Sequence, residues 1–160
     1  AVPTLLVRSP DRPIALWVLV MILSFIAIGG LVNGPQLIAD PTGEVIGADS
    51  ISLDRTPIDD WMPVGWFLIV VMGVVPAVIA WGLATRRGWR LAERVDPIRT
   101  EHWSWLAVQV MGAGTLVWLG LRFVLIDLKG GPQPLFLLLG LAMVTLPWLP
   151  SVRRDLAAFD

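Results

Sequence analysis

The sequence predicts an all-α fold: a polytopic membrane protein whose 160 residues form one domain, a four-transmembrane-helix bundle. Composition is the first observation, because 56% of the residues are hydrophobic and 16% are charged, against roughly 45–50% and about 25% in soluble domains. Distribution is the second, because the apolar residues fall in four blocks near the roughly 20 residues that a helix needs to cross a bilayer. The predicted spans are residues 13–32, 61–84, 103–126 and 133–150.

The first span follows Arg8 and Arg12 and begins at Pro13. Its apolar stretch is long enough for a full span, and no small-residue cleavage motif follows it, so we expect a retained helix rather than a signal peptide. The polar segment after it, residues 33–60, is the longest connection, and Asp40–Gly43 within it is predicted to form a turn.

The second span has the clearest start and stop signals in the chain. Thr56 is the predicted N-cap, Pro57 fits the first helical position, and Asp59 places a carboxylate at the positive end of the helix dipole. Pro76 lies in the middle of the span and leaves the carbonyl four residues earlier without its helical donor, so a kink is expected there. The kink is expected to serve packing, with a hinge for a gate or a binding site as the alternative.

The connection 127–133 contains two glycines and a proline, which predicts a tight turn that makes the third and fourth spans antiparallel neighbours. The fourth span is the shortest and is interrupted by Pro147 and Pro150. It crosses the bilayer if Arg153 and Arg154 extend to the surface, and a re-entrant segment is the alternative.

Positive charges lie mostly on one side of the predicted membrane. Of the twelve Lys and Arg residues, nine fall in the N-terminal tail, the connection 85–102 or the C-terminal tail, and three fall toward the other side. The positive-inside rule then places both termini and residues 85–102 in the cytoplasm, and the acidic loop 33–60 outside, for a multi-pass protein of the bacterial inner (plasma) membrane.

Small residues mark the helix faces that are expected to pack, because helices in lipid associate by close approach rather than by hydrophobic expulsion. The second span has the most regular small-residue face, so it is predicted to be the inner helix of the bundle. Docking of a partner protein on one such face is the alternative. The predicted helix-packing residues are Gly73, Ala77, Ala80, Ala84, Gly112 and Gly120.

Gln109 and Arg122 are the polar residues within the third span. Arg122 lies about one helical turn from Asp127, so snorkelling or an ion pair accounts for it, and Gln109 is expected to hydrogen-bond between helices. The alternative is a ligand pocket near Pro76, Gln109 and Arg122 that binds or transports a lipid, a quinone-like molecule or an ion.

Several classes of chemistry are excluded or disfavoured by the composition. The chain has no cysteine, which excludes disulfides, thiol nucleophiles and cysteine-bound metals. His102 is the only histidine, and we expect an ordinary interfacial residue there, with haem or pigment ligation as the alternative. No calcium-loop spacing and no nucleophile–base motif is found, and a net charge of −1 gives no basic surface for nucleic acid. We therefore expect no enzyme activity, no cofactor and no bound metal.

A resemblance extends over most of the chain and rests on turns, caps and arginine stops. The segments ADPTGEVIG and DRTPIDDWMPVGWFLIVVMGV, then RRGW and the terminal LPWLPSVRRDL, are similar to those of small four-span membrane proteins that are common in actinobacteria. The resemblance implies a four-helix bundle with cytoplasmic termini and transfers no active site. The insert Leu91–Thr100 departs from the shorter junction that the resemblance implies.

The function expected from these observations is that of a non-catalytic integral membrane protein that acts by association. Its partners would be membrane lipids together with other membrane subunits or further copies of itself. It would be an accessory subunit of a larger inner-membrane complex or a small oligomeric bundle. The ligand pocket described above, or a pigment or haem carried through His102, would instead make it a ligand-handling protein.

Overall fold

The computed structural model describes residues 12–48, 51, 53–54, 56–85, 102–126 and 132–157. These residues form helices and turns and contain no strand. Three helical stretches are long and apolar enough to cross a membrane, Ile14–Ala39, Met62–Thr85 and Trp103–Val124. A bent pair of helices, Gln133–Trp148 and Pro150–Leu156, makes up to four spans if it counts as one. The calls on residues 1–11, on residues 86–101 of the second connection, on residues 127–131 and on residues 158–160 lie outside the described residues.

Helix α1, Ile14–Ala39, extends beyond the predicted boundary at residue 32 and includes Pro35. Packing explains the extension, because Gly34 lies directly against the second span: a Cβ added there would be 2.6 Å from the Ile69 side chain and 2.9 Å from the Gly65 carbonyl oxygen. A proline is tolerated in a membrane helix when neighbouring helices hold the freed backbone. The loop after α1 is therefore shorter than residues 33–60.

The second span begins at Met62 rather than near Thr56. The predicted N-cap is wrong: the Thr56 hydroxyl donates to the Leu53 carbonyl oxygen at 2.7 Å, within the loop. A carboxylate does stand at the helix start, since the Met62 N–H donates to Asp60 Oδ1 at 2.9 Å. The loop delays the helix because the Trp61 N–H is held by the Pro41 carbonyl oxygen at 3.0 Å.

The second span is irregular just before Pro76. It consists of α2 (Met62–Phe67), a π-helical segment (Leu68–Val74) and α3 (Val75–Thr85). The Val75 N–H bonds the Val70 carbonyl oxygen, five residues back, as in a π-helix. The sequence predicted a kink at Pro76. The structure instead has a π-helical segment immediately before this residue.

The three long helical stretches and the bent fourth stretch form a ring in which each packs mainly against two others. Helix α1 packs along the whole second span, and α4 (Trp103–Ile126) packs along α5 (Gln133–Thr145). The two pairs meet where α3 touches α4 and where α1 touches α5. The second span, predicted to be the inner helix, is thus no more central than its neighbours among the described residues, because a ring of four has no inner member.

The fourth stretch is bent. Helix α5 ends at Thr145, a 3₁₀ turn covers Leu146–Trp148, and α6 (Pro150–Ala157) leaves at 68°. The two prolines of the sequence account for the bend, since each removes a helical hydrogen bond.

Helix α6 is amphipathic and packs against the other spans. Val152 and Leu156 are buried, whereas Arg153 and Arg154 are exposed. The Arg153 guanidinium lies 5.5 Å from the centre of the Trp148 ring, as expected for a cation at an aromatic belt.

A turn at Asp40 closes the loop between α1 and the second span, as predicted. Asp40 Oδ1 accepts from the Thr42 hydroxyl at 2.6 Å and Oδ2 accepts from the Val45 N–H at 3.1 Å. These bonds, the Thr42 hydroxyl foremost, lower the pKa of the Asp40 carboxyl. Gly43 takes φ = 82° and lies against Trp61, so the turn needs a residue without a side chain there. We call this end of the bundle the loop end.

Candidate functional site

A large apolar cleft separates the second span from α4. Its volume is about 730 Å³. Apart from the indole N–H groups of Trp103 and Trp118, its only polar side chain is Thr115, whose hydroxyl donates to the Met111 carbonyl oxygen at 2.9 Å. Such a wall offers dispersion contacts to an apolar occupant and no specific polar recognition.

Two further cavities lie toward the loop end. The central cavity, about 210 Å³, is enclosed by all four spans. The outer cavity, about 560 Å³, lies between the helix ends and the loop that precedes Trp61. Asn33 of α1 and Arg122 of α4 line both cavities, as do Leu68 and Trp118. The two cavities are therefore adjacent, and the Arg122 side chain lies where they meet.

Arg122 is half-buried, and no carboxylate is among the described residues that line either cavity. The predicted alternative partner, Asp127, lies outside the described residues. The Asn33 side chain donates one N–H to the Gly29 carbonyl oxygen at 2.9 Å, which leaves a second N–H and the amide oxygen for other groups. Arg122 and the exposed Asn33 together make a polar spot on walls that are otherwise apolar apart from the threonines at positions 56 and 115.

The three residues of the predicted ligand pocket do not meet. Pro76 is fully buried among packed helices and is not among the lining residues of these three cavities. Gln109 donates to the Trp105 carbonyl oxygen at 3.4 Å within its own helix, instead of bridging two helices. Arg122 is about 20 Å from Gln109 along α4 at 1.5 Å per residue. Asn33 was missed because the sequence placed it in a loop.

The predicted helix-packing residues differ in what they touch. A Cβ added at Gly73 would lie 2.9 Å from the Leu31 side chain, and one at Gly112 would lie 2.8 Å from the Met143 Cβ. Ala80 is buried, and Ala77 and Ala84 are half-buried. Around Gly120, by contrast, an added Cβ would meet no described atom within 4 Å.

Gly30 of α1 lies against the backbone of the second span. A Cβ added at Gly30 of α1 would lie 2.5 Å from the Leu68 carbonyl oxygen and 2.6 Å from the Gly73 amide nitrogen. Helix α1 therefore rests on the backbone of the π segment.

His102 lies just before α4. Its Nδ1 is 2.7 Å from the Ser104 hydroxyl oxygen, and its ring centre is 5.6 Å from that of Trp103. Among the described residues, no group of three or more His, Asp or Glu side chains is placed to hold a metal ion. Haem or pigment ligation by His102 stays an untested alternative.

One largely exposed face of α4, which borders the apolar cleft at Val110 and Val117, has a regular pattern. Val110, Val117 and Val124 are 62%, 64% and 70% exposed, and Ala113 and Gly120 are also exposed. Their spacing of three, four, three and four residues is that of a heptad seam. We call these five residues the outer seam. The heptad spacing is visible in the sequence. The other faces of this span are also mainly apolar, so periodicity alone does not distinguish the outer seam from them.

No protein-family model, curated protein or solved structure matches the chain. The resemblance to small four-span bacterial membrane proteins therefore stays a prediction.

Proposed function

We propose that this protein is a non-catalytic integral membrane protein that acts by association, and that the outer seam of α4 is the surface through which it associates. The observation that carries the proposal is the seam itself: small and β-branched residues at heptad spacing, on a largely exposed face of α4.

Residue size supports this use of the seam. Lipid tails are as apolar as the helix, so helices associate in a membrane where small residues let their backbones come close. Ala113 and Gly120 supply that closeness, and the valines lose little rotamer freedom on packing. Helix α4 is also the least buried of the three long spans, with 22% of its apolar window buried against 39% for each of the other two.

A second copy of the chain is the partner that the seam fits directly. A two-fold axis along the membrane normal places the two α4 helices parallel and brings each seam residue opposite its own copy. Heptad spacing corresponds to a left-handed crossing of about 20°. An accessory role in a larger inner-membrane complex would use the same face on a different partner.

We also propose that the bent fourth stretch crosses the membrane, so that both termini are cytoplasmic in a bacterial inner membrane. Helix α5 and its 3₁₀ turn contain 13 and 3 residues, which reach about 26 Å. Their far end meets the start of α4, where the Trp105 indole N–H donates to the Pro147 carbonyl oxygen at 3.0 Å. At this level the Arg12 guanidinium also donates to the Ala84 carbonyl oxygen, which joins the start of α1 to the end of α3.

Cysteine cross-linking tests the association, and the absence of native cysteine makes each introduced thiol unique. In Val117→Cys the two thiols would meet across a seam dimer, and mild oxidation in membranes is expected to give a disulfide-linked dimer. Phe123→Cys is the matched control, because Phe123 is 73% exposed on the same helix but lies outside the seam. Equal cross-linking of the two variants, or none in either, would contradict self-association. If a co-purifying chain protects the thiol of Val117→Cys from labelling, that result would favour the accessory role.

A further inference from the structure

We propose that Arg122 and Asn33 bind the headgroup of an anionic membrane lipid at the loop end of the bundle, with the upper part of its chains in the outer and central cavities. The proposal is independent of the association through the outer seam, because it uses the inward side of α4 rather than its outward face.

The charge of Arg122 is the first part of the argument. A cation in an apolar setting needs a counter-charge, and no described residue that lines the two cavities supplies one. A guanidinium presents paired N–H donors that match phosphate and carboxylate oxygens. The site is therefore complementary to an anion. The second N–H of Asn33, on the facing helix, can donate to an oxygen of the same headgroup.

The walls are the second part. The outer cavity, about 560 Å³, falls within the range of about 300–1,000 Å³ typical of ligand pockets, and the central cavity extends it by about 210 Å³. Both are lined mainly by apolar side chains such as Leu68, Trp118 and, in the central cavity, Phe136. A small soluble anion would leave those walls without an occupant, whereas a lipid satisfies the cation and the walls together.

Position is the third part. Arg122 lies about 6 Å from the end of α4 at Ile126, at 1.5 Å per residue, which is close to the depth of lipid headgroups. The lipid would therefore belong to the leaflet at the loop end. A zwitterionic headgroup fits less well, because its ammonium would find no carboxylate among the described lining residues.

Native mass spectrometry of the full chain in dodecyl maltoside tests the proposal, with phosphatidylglycerol and phosphatidylcholine of the same chains as probes. Wild type is expected to retain more phosphatidylglycerol than phosphatidylcholine. Arg122→Gln is expected to weaken that retention by roughly 10- to 100-fold, the loss of a charge-assisted hydrogen bond, and Arg122→Lys by less. Arg154→Gln is the matched control, because Arg154 is exposed and bonds the Pro150 carbonyl oxygen of its own helix.

Three results would overturn the proposal. One is equal loss of phosphatidylglycerol in Arg122→Gln and Arg154→Gln, which would indicate a general surface charge effect. Another is equal retention of phosphatidylcholine by wild type. The third is full competition by glycerol phosphate, which has the headgroup charge without chains and would indicate a soluble-anion site.

If Arg122→Gln fails to fold, quenching of tryptophan fluorescence provides a second test in which Arg122 is unchanged. Phosphatidylglycerol with brominated chains is expected to quench a larger fraction of the tryptophan fluorescence in wild type than in Trp118→Phe, because Trp118 lines both cavities. Trp17→Phe, on the exposed face of α1, is the control for ordinary lipid contact. If Trp118→Phe removes no more quenching than Trp17→Phe, chains do not enter the cavities and the proposal fails.

Discussion

Replacing Gly30 by alanine should separate α1 from the second span. The added Cβ would lie 2.5 Å from the Leu68 carbonyl oxygen, 2.5 Å from the Met72 carbonyl carbon and 2.6 Å from the Gly73 nitrogen. All three are backbone atoms, so no side chain can rotate away. Ordinary contacts lie at about 3.5–4.0 Å, so the helices must move apart by about 1 Å. Overpacking of this kind costs about 1–3 kcal/mol.

Gly29→Ala is the matched control, because an added Cβ there meets no described atom within 4 Å. Both changes replace glycine by alanine in one helix, and each gains about 1 kcal/mol of helix propensity. The difference between the two variants therefore isolates the clash at Gly30. We expect Gly30→Ala to be less stable than Gly29→Ala by about 1–3 kcal/mol, measured by SDS titration in mixed micelles with circular dichroism. Equal unfolding free energies would refute the close approach of α1 to the π segment.

Two further predictions concern the ends of the bundle. Trp105→Phe leaves the buried Pro147 carbonyl without its indole donor and should lower stability by about 1–3 kcal/mol, seen as a lower Tm in detergent; an unchanged Tm would contradict the role of this bond. At the loop end, the hydrogen bonds from Thr42 and Val45 lower the pKa of Asp40. Their stabilisation of the turn is present above the ordinary pKa of an aspartate and is lost as the pH falls through the lowered value. The protection of the Val45 amide from exchange, taken relative to the intrinsic rate at each pH, should fall over that range in wild type and be independent of it in Asp40→Asn.

The span positions followed from the sequence because polar residues bound each apolar block. The predicted apolar segment 61–84 lies within one residue of the helical stretch Met62–Thr85, although the predicted N-cap, Thr56, lies six residues before the start of that stretch. Helix α1 was placed too short, because Asn33, Gly34 and Pro35 have the composition of a turn, and only packing of Gly34 against the second span keeps them helical. Local signals thus fail where a tertiary contact decides.

The arrangement of the helices did not follow from the sequence. In a soluble bundle the polar face of each helix marks the outside, but in lipid the inner and outer faces are both apolar. The choice of the second span as the inner helix rested on its small residues, and α1 makes an equally close approach through Gly30. Arg122 was recognisable as unusual because a charge inside a span stands out. Asn33 was not, because only the fold places it on the walls of the same two cavities as Arg122.

A comparison of the exposed faces of α1 and α4 explains why exposure alone does not identify an interface in a membrane. Helix α1 exposes large side chains, among them Trp17, Met21 and Phe25, which are suited to filling the space between lipid chains. The outer seam of α4 is as exposed but presents valine, alanine and glycine. Such a surface makes few contacts with disordered chains and many with another helix whose backbone can approach it. The difference in residue size between these faces, rather than the apolar area of either, is the physical reason to place association on α4.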